Sequence, residues 1–207
     1  MRLAWLAPSL LAPALIAAAV LAQNAPPSPP GKPDPKAVVA GTYQIETTHT
    51  QVRFEYMHLG FNPYFGDFSN IKGTLVLDPA KPNASSVEVE IPINSIHVPS
   101  AKLVEEFNAP MFFDSAKYPT ATFKSTKVTV NGTKAKIDGN FTLHGVTKPL
   151  TLDATFVGTG VMRGKQTIGF TATAWLKRSD YGIAGGVPMV ADEVKIDITA
   201  AFDKPAA

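Results

Sequence analysis

The residues able to do acid–base or metal chemistry in this chain are few and scattered. There are four histidines, at 49, 58, 97 and 144. No two lie within four residues of each other, so no local metal pair exists, and a metal site would have to be assembled from distant segments. Cysteine is absent, which removes thiol catalysis, thiolate metal ligation and disulfides together. The sequence holds no Gly-x-Ser-x-Gly elbow, no His-Glu-x-x-His and no phosphate-cradling glycine loop, and Gly185-Gly186 lacks dinucleotide spacing. Two candidates remain. His58 is either a hydrogen-bonded core histidine or a polar contact for a guest's head group. Arg178-Ser179-Asp180 places a guanidinium two residues from a carboxylate, where it forms a structural corner, pairs locally or grips an anion; Asp192-Glu193 offers Arg178 another partner.

The segment that positions His58 is a strict alternation. Val52, Phe54, Tyr56 and His58 point one way, and Gln51, Arg53, Glu55 and Met57 the other, as in a strand with one buried and one wet face. His49 stands at the start of this strand and is expected to hydrogen-bond backbone there, outside any site. His97 falls in a loop, and His144 in the turn Leu143-His144-Gly145-Val146. The same period of two recurs at Tyr43 and Ile45, at Leu75 and Leu77, and from Val87 to Ile93, where Pro92 suggests an edge or bulge. It returns from Phe123 to Val130, from Lys134 to Leu143 across an Asn131-Gly132 hairpin turn, from Leu150 to Phe156, from Ile168 to Leu176, and from Val194 to Phe202. One stretch differs: Ser100 reads as the N-cap of a short helix with Leu103, Val104 and Phe107 on one face, ended by Pro110. Eight or nine amphipathic strands with one helical insertion predict an all-β fold, an eight-stranded antiparallel barrel in preference to a sandwich, over residues 41–203. About eight strands enclose an interior that side chains just fill, or that holds one small guest. Asn83, Asn131 and Asn140 each match the glycosylation pattern, but turn or strand roles explain them more simply.

Composition narrows the function further. With 19 Lys+Arg against 17 Asp+Glu and no basic run, the chain has no electrostatic footprint for nucleic acid. Its 45% hydrophobic content supports a full core. Arg2 precedes an uncharged Leu/Ala-rich run from Leu3 to Leu21, interrupted by Pro8 and Pro13 and ending in Val20-Leu21-Ala22. This predicts a signal peptide (residues 1–22) cleaved after Ala22 and a periplasmic location, with a retained anchor as the alternative. Residues 23–40 hold six prolines between Pro26 and Pro35 and read as an extended linker. Residues 204–207 are a short tail.

Taken in order, these residues form a pattern. It runs Tyr43-x-Ile45, His49-Thr50-x-Val52-x-Phe54-x-x-x-His58-Leu59-Gly60, Gly66-x-Phe68, Ser95-Ile96, Phe112-Phe113-Asp114, Tyr118-Pro119-x-x-x-Phe123-x-Ser125, Gly139-x-Phe141-Thr142-Leu143-x-Gly145-Val146-Thr147, Arg178-Ser179-Asp180-Tyr181-Gly182 and Asp192-Glu193-Val194. As a set it closely resembles the YceI-like family of bacterial polyisoprenoid-binding proteins, over about Gly41 to Asp203. The resemblance implies a lipocalin-like barrel, usually exported, that holds a long isoprenoid or similar amphiphile, quinone-type or polyprenyl, and needs no cofactor or metal. It turns Val52, Phe54, Tyr56, Phe68, Phe170, Leu176 and Ile196 into expected pocket walls. Phe112 and Phe113, in the apolar turn after the helix, become an expected end cap, with His58 and Arg178 as polar contacts. One departure stands out: relatives often carry His-Leu where this chain has Glu106-Phe107, which leaves the head-group preference open. An enzyme acting on a small hydrophobe with His58 as acid or base is the alternative, and a barrel filled by its own side chains is a third reading. A homodimer and transient membrane contact remain open.

Overall fold

Ten strands form one antiparallel sheet that closes on itself. They are β1 (Gly41–Ile45), β2 (Gln51–His58), β3 (Asn62–Phe68), β4 (Lys72–Leu77), β5 (Ser86–Pro92), β6 (Thr120–Asn131), β7 (Lys134–Leu143), β8 (Val146–Met162), β9 (Lys165–Lys177) and β10 (Glu193–Lys204); among the described residues one α-helix, α1 (Ala101–Asn108), lies between β5 and β6. The computed structural model describes residues 28–204; the expected signal peptide and most of the tail lie outside them. The order is β1-β4-β5-β6-β7-β8-β9-β10-β2-β3, and β1 also pairs with β10. Phe202 and Asp203 of β10 face β1, and residues 195–199 of the same strand face β2. β1 and β2 therefore share one place in the ring, and β4 and β3 share the next. That makes eight strand positions, the closed barrel that the alternation predicts.

The two interrupted positions shape everything at one end. Between β1 and β2 the chain bulges at Glu46–Thr50. Thr50 is 2% exposed; its Oγ1 accepts the Ala201 N–H at 3.1 Å, replacing a ladder bond that the bulge removes. Thr47 Oγ1 donates to Ile71 O at 3.1 Å, tying this bulge to the break between β3 and β4. His49 sits here on the surface, and its ring meets the Glu46 carboxylate at 2.6 Å, where a backbone partner was expected. Beyond the breaks, the β2–β3 hairpin splays away from the ring. The outer edge of β3 is held to the chain before α1 by the reciprocal Asp67–His97 pair at 3.1 and 2.8 Å, and just past its end Ser69 N–H donates to Ser95 Oγ at 3.1 Å. Residues 93–113 fill the gap with buried Ile93, Ile96, Val98 and Phe107. α1 begins where expected: Ser100 Oγ accepts the Leu103 N–H at 3.4 Å. Across the hairpin Phe54 faces Gly66, and the Phe54 ring occupies the space a Cβ on Gly66 would need; only glycine lets the ring lie flat on β3.

Two segments depart from the sequence reading. β3 was not expected as a separate strand, because Pro63 and Gly66 break its apolar alternation. The β8–β9 hairpin runs on past Phe156 to an Arg163-Gly164 turn with positive φ at both residues. A register shift between Phe156 and Gly158 reverses the alternation there and buries Thr159 opposite Ile168, while Val157 and Val161 are both exposed; together these hide the strand from a period-two count. The described part of the expected linker is also docked. Lys32 exchanges both backbone hydrogen bonds with Thr159 at 2.9 Å. The lack of a side chain at Gly160 lets the chain at Pro30 lie against β8.

The β9–β10 connection is tied down by Arg178, which is 7% exposed. Its Nε donates to Ala191 O at 2.9 Å, Nη1 to Ile183 O at 3.0 Å and Gly185 O at 2.7 Å, and Nη2 to Val190 O at 3.0 Å. Asp192 completes the corner by accepting from Ser179 N at 2.8 Å and Ser179 Oγ at 2.7 Å. Burial pushes the Asp192 carboxyl up, but the Ser179 hydrogen bonds and the nearby Arg178 and Lys177 charges outweigh it and hold it below its ordinary 3.8. Replacing Arg178 by Ala should strip four carbonyls of a charged donor and cost about 3–5 kcal/mol in denaturant unfolding. Arg178→Lys should recover only part, since one ammonium cannot reproduce the fork. Because the folded-state value of Asp192 is depressed, its carboxylate contributes stability above pH 3.8, and that contribution is lost as the pH falls from there through the folded-state value. The stability gap between the native chain and Asp192→Asn should therefore close over that acid range; a gap constant with pH would refute the linkage.

Candidate functional site: an apolar cavity along the barrel axis

The barrel is not filled. Inward residues such as Ile45, Val89, Leu152, Phe156, Phe170, Ile196 and Ile198 remain only half-buried, although each faces the interior. Between them runs a cavity of about 650 Å³, within the range of sites that enclose a small hydrophobic molecule. At the hairpin end its lining reaches Ser86, Gly132–Lys134, and Pro35 and Val38 of the docked N-terminal segment. At the helix end it reaches His58, Glu106, Met111, Gly186 and Val190. The filled-barrel reading is set aside by this space.

All eleven residues expected at the site line this one cavity: Val52, Phe54, Tyr56, His58, Phe68, Phe112, Phe113, Phe170, Leu176, Arg178 and Ile196. They divide by position. Phe54 is the hub of an aromatic cluster at the helix end, 5.7 Å from Phe68, 5.8 Å from Phe107 and 6.5 Å from Phe113 in ring centroids. Phe112 packs edge-on against Phe107 at 5.6 Å. The turn after α1 thus closes the interior from the gap side, held by Phe113 N–H donating to Phe107 O at 2.9 Å. Phe170 belongs to a second group, edge-on to Phe156 at 5.9 Å and Phe202 at 6.2 Å. Leu176 and Ile196 form wall between the two on β9 and β10.

The polar groups gather at the helix end. Tyr56 is pushed up to about 12, chiefly by burial and then by Tyr64, so it stays a neutral phenol able to donate. Glu106 also raises it and Arg178 lowers it, which places both charges within electrostatic reach. Burial lowers the Arg178 guanidinium from its ordinary value, with Asp192 and Tyr56 acting against this, yet it remains a cation at any working pH. Four of its five N–H donors are committed to loop carbonyls. Arg178 therefore acts here first as the corner that shapes the mouth. His58 is half-buried beside Tyr64, 6.5 Å between ring centroids, and among the described residues nothing hydrogen-bonds its ring. His144 stands apart, its Nδ1 3.0 Å from Tyr181 O and its ring against Tyr118, a turn-structuring role.

Sequence reasoning did not single out Thr50, Leu103, Leu152 or Ile198 as wall, nor the docked Pro35 and Val38. Leu152 and Ile198 carried the alternation signal and could have been named from it; the N-terminal pair could not, because polyproline composition carries no docking signal. At the Glu106-Phe107 pair, Phe107 is buried in the aromatic cluster and Glu106 stands exposed at the mouth.

Comparison with known proteins agrees with this architecture. The model of the YceI-like domain matches residues 43–202. A UPF0312 protein of Pseudomonas aeruginosa is 37% identical over 161 residues, covering 76% of this chain and 84% of the relative. Among solved structures, Burkholderia cenocepacia BcnA superposes with a TM-score of 0.68 at 24% identity, over 76% of this chain and 98% of its own. A polyisoprenoid binding domain from Saccharophagus degradans, implicated in plant cell wall breakdown, superposes with a TM-score of 0.60 at 14% identity, over 79% and 98%. The barrel, its helical insertion and the matched span lead to one conclusion: the chain belongs to the YceI-like family.

Proposed function

We propose that this protein is an exported, non-enzymatic carrier that holds one long-chain isoprenoid or similar amphiphile in its barrel, with a neutral, quinone-type head at the helix end. The observation that carries this is the 650 Å³ cavity walled by half-buried apolar side chains. Every 100 Å² of tail removed from water there is worth about 2.5 kcal/mol, against the cost of ordering the chain. The polyisoprenoid binding described for the Saccharophagus domain supports the ligand class, and the uncharged Leu3–Leu21 run supports export. A neutral head is favoured because Arg178 has one N–H donor left and Glu106 brings negative charge to the same mouth. Tyr56 and Arg178 both line the cavity within electrostatic reach of each other, which suits a neutral head that accepts hydrogen bonds. A container is favoured over a catalyst because Tyr56 is far too weak an acid to give up its proton near neutrality and no neighbouring group orients the His58 ring, among the described residues.

Solvent extraction of the purified protein followed by mass spectrometry should recover a prenyl lipid. In direct titration, a quinone with a prenyl tail should bind at least roughly tenfold tighter than the matching polyprenyl phosphate. Glu106→Gln should narrow that ratio at least about threefold by removing a negative charge from the mouth. Ala172, a buried wall residue in mid-β9, can be enlarged: Ala172→Trp should cut uptake about tenfold or more while leaving the melting temperature unchanged or higher. Uptake unaffected by that substitution, or absent in the native chain, would refute the cavity as the binding site.

A further inference from the structure

The helix end of the barrel is unlike the rest of the surface. Three loops converge on it. The β2–β3 turn and the β9–β10 connection are joined by a bridge between His58 and Val190 and by Ala191 N–H donating to Met57 O at 3.0 Å. Met111, in the turn after α1, packs against Gly185 of the same connection, its Cγ 3.0 Å from where a Cβ would stand. Residues 56–66, 107–113 and 181–191 contain no Asp, Glu, Lys or Arg, where a chain with 17% charged residues would place about five. Instead their tips present apolar side chains to solvent: Phe61 is 85% exposed, Met189 69% and Met111 68%, with Leu59 beside Phe61 also exposed. The loop backbones are bonded internally, Phe61 N–H to His58 O at 3.0 Å, Phe112 N–H to Ala109 O at 3.0 Å and Val190 N–H to Gly186 O at 2.8 Å, so those donors do not need water. The opposite, hairpin end carries Lys32, Lys36, Lys134, Arg163 and Lys165.

We infer that this charge-free tip inserts into the interface of a lipid bilayer, placing the cavity mouth against the membrane that supplies or receives the ligand; this rests on reading the cavity as a lipid site. A membrane fits better than a second copy of the chain. The exposed tip side chains offer on the order of a few hundred Å², short of the roughly 800 Å² per partner that a stable dimer buries, and they sit on separate turn tips. Met111 is both exposed and part of the cavity lining, so apolar surface joins tip to interior along that side chain. A prenyl chain leaving a bilayer along that path never crosses water. The tips themselves carry neither carboxylate nor ammonium, and the exposed Glu106 at the same mouth disfavours anionic lipid, so the contact depends on apolar insertion.

The absence of native cysteine makes any introduced thiol unique. The full chain carrying Phe61→Cys, Met189→Cys or Lys165→Cys, each labelled with an environment-sensitive fluorophore, is mixed with phosphatidylcholine vesicles containing a spin-labelled lipid. Labels at 61 and 189 should be quenched and the label at 165 should not, equally at low and high salt. Phe61→Glu and Met189→Glu, in the otherwise native chain, should each slow quinone transfer from vesicles about tenfold, while quinone binding from detergent micelles and the melting temperature stay unchanged. The proposal is overturned if the tip labels are unquenched, if quenching appears only with anionic lipid and vanishes with salt, or if the label at 165 is the one quenched, which would mark the basic or N-terminal end as the contact. A concentration-dependent dimer abolished by Phe61→Glu would overturn it in favour of self-association. Failure of micellar quinone binding with tip insertion intact would refute the carrier reading and not the insertion.

Discussion

A sheet of eight positions closes into a barrel only if its first and last strands meet, and here they meet over a short overlap, β1 against Phe202 and Asp203. The bulge at Glu46–Thr50 then redirects the chain, and Thr50, buried with its hydroxyl on the Ala201 N–H, keeps the ladder satisfied through the change. A backbone group left unpaired at that depth would cost about 1–3 kcal/mol, so the threonine is what allows the strand to bend without opening the seam. Everything at the helix end follows from that bend. The β2–β3 hairpin swings off the ring, a gap opens beside β3, and the chain spends residues 93–113 closing it. The aromatic cluster around Phe54 is the packing that makes this closure firm, with Gly66 leaving room for the ring.

The same economy governs charge. A buried guanidinium is tolerated only when its donors are satisfied, and Arg178 meets that condition with loop carbonyls and not with a carboxylate. Asp192, the obvious ionic partner, is occupied by Ser179. The outcome is a positively charged corner that is nearly saturated with hydrogen bonds, sited at the mouth of an apolar cavity. Toward the cavity it leaves one free donor and a field partly offset by Glu106. Most of the side chain is thus committed to holding the loop.

The interior shows the opposite policy. A core of this size normally fills to crystal-like density, yet the walls contributed by β8 and β9 carry small side chains in mid-strand, Ala154 and Ala172, that leave the interior open. Small residues in mid-strand keep the barrel open along its axis, while larger aromatics narrow it near Phe54 and near Phe170. At the hairpin end the docked segment around Lys32 to Val38 supplies part of the wall. The cavity is bounded by tertiary packing at both ends and by the strand alternation along its sides.

How much of this was legible in the residues themselves divides along one line. Local periodicity determined most of the strands, though not β3 or the far part of the β8–β9 hairpin. With them came the inward face of Val52, Phe54, Tyr56 and His58, the Ser100-capped helix and the Asn131-Gly132 hairpin, because a period of two or a cap is a property of neighbours in sequence. The motif order placed the chain in its family and pointed to pocket walls that do share one cavity. Tertiary structure alone decided the rest. It decided that β1/β2 and β3/β4 occupy shared positions, that the barrel stays hollow, that Arg178 turns to loop carbonyls, that the chain at Pro30 and Lys32 docks on β8, and that three uncharged loop stretches meet at one tip. Each of these depends on which distant segments come together, and hydrogen-bond partners and packing volume at such meetings are set by closure of the whole sheet. Periodicity along a single strand carries no record of them.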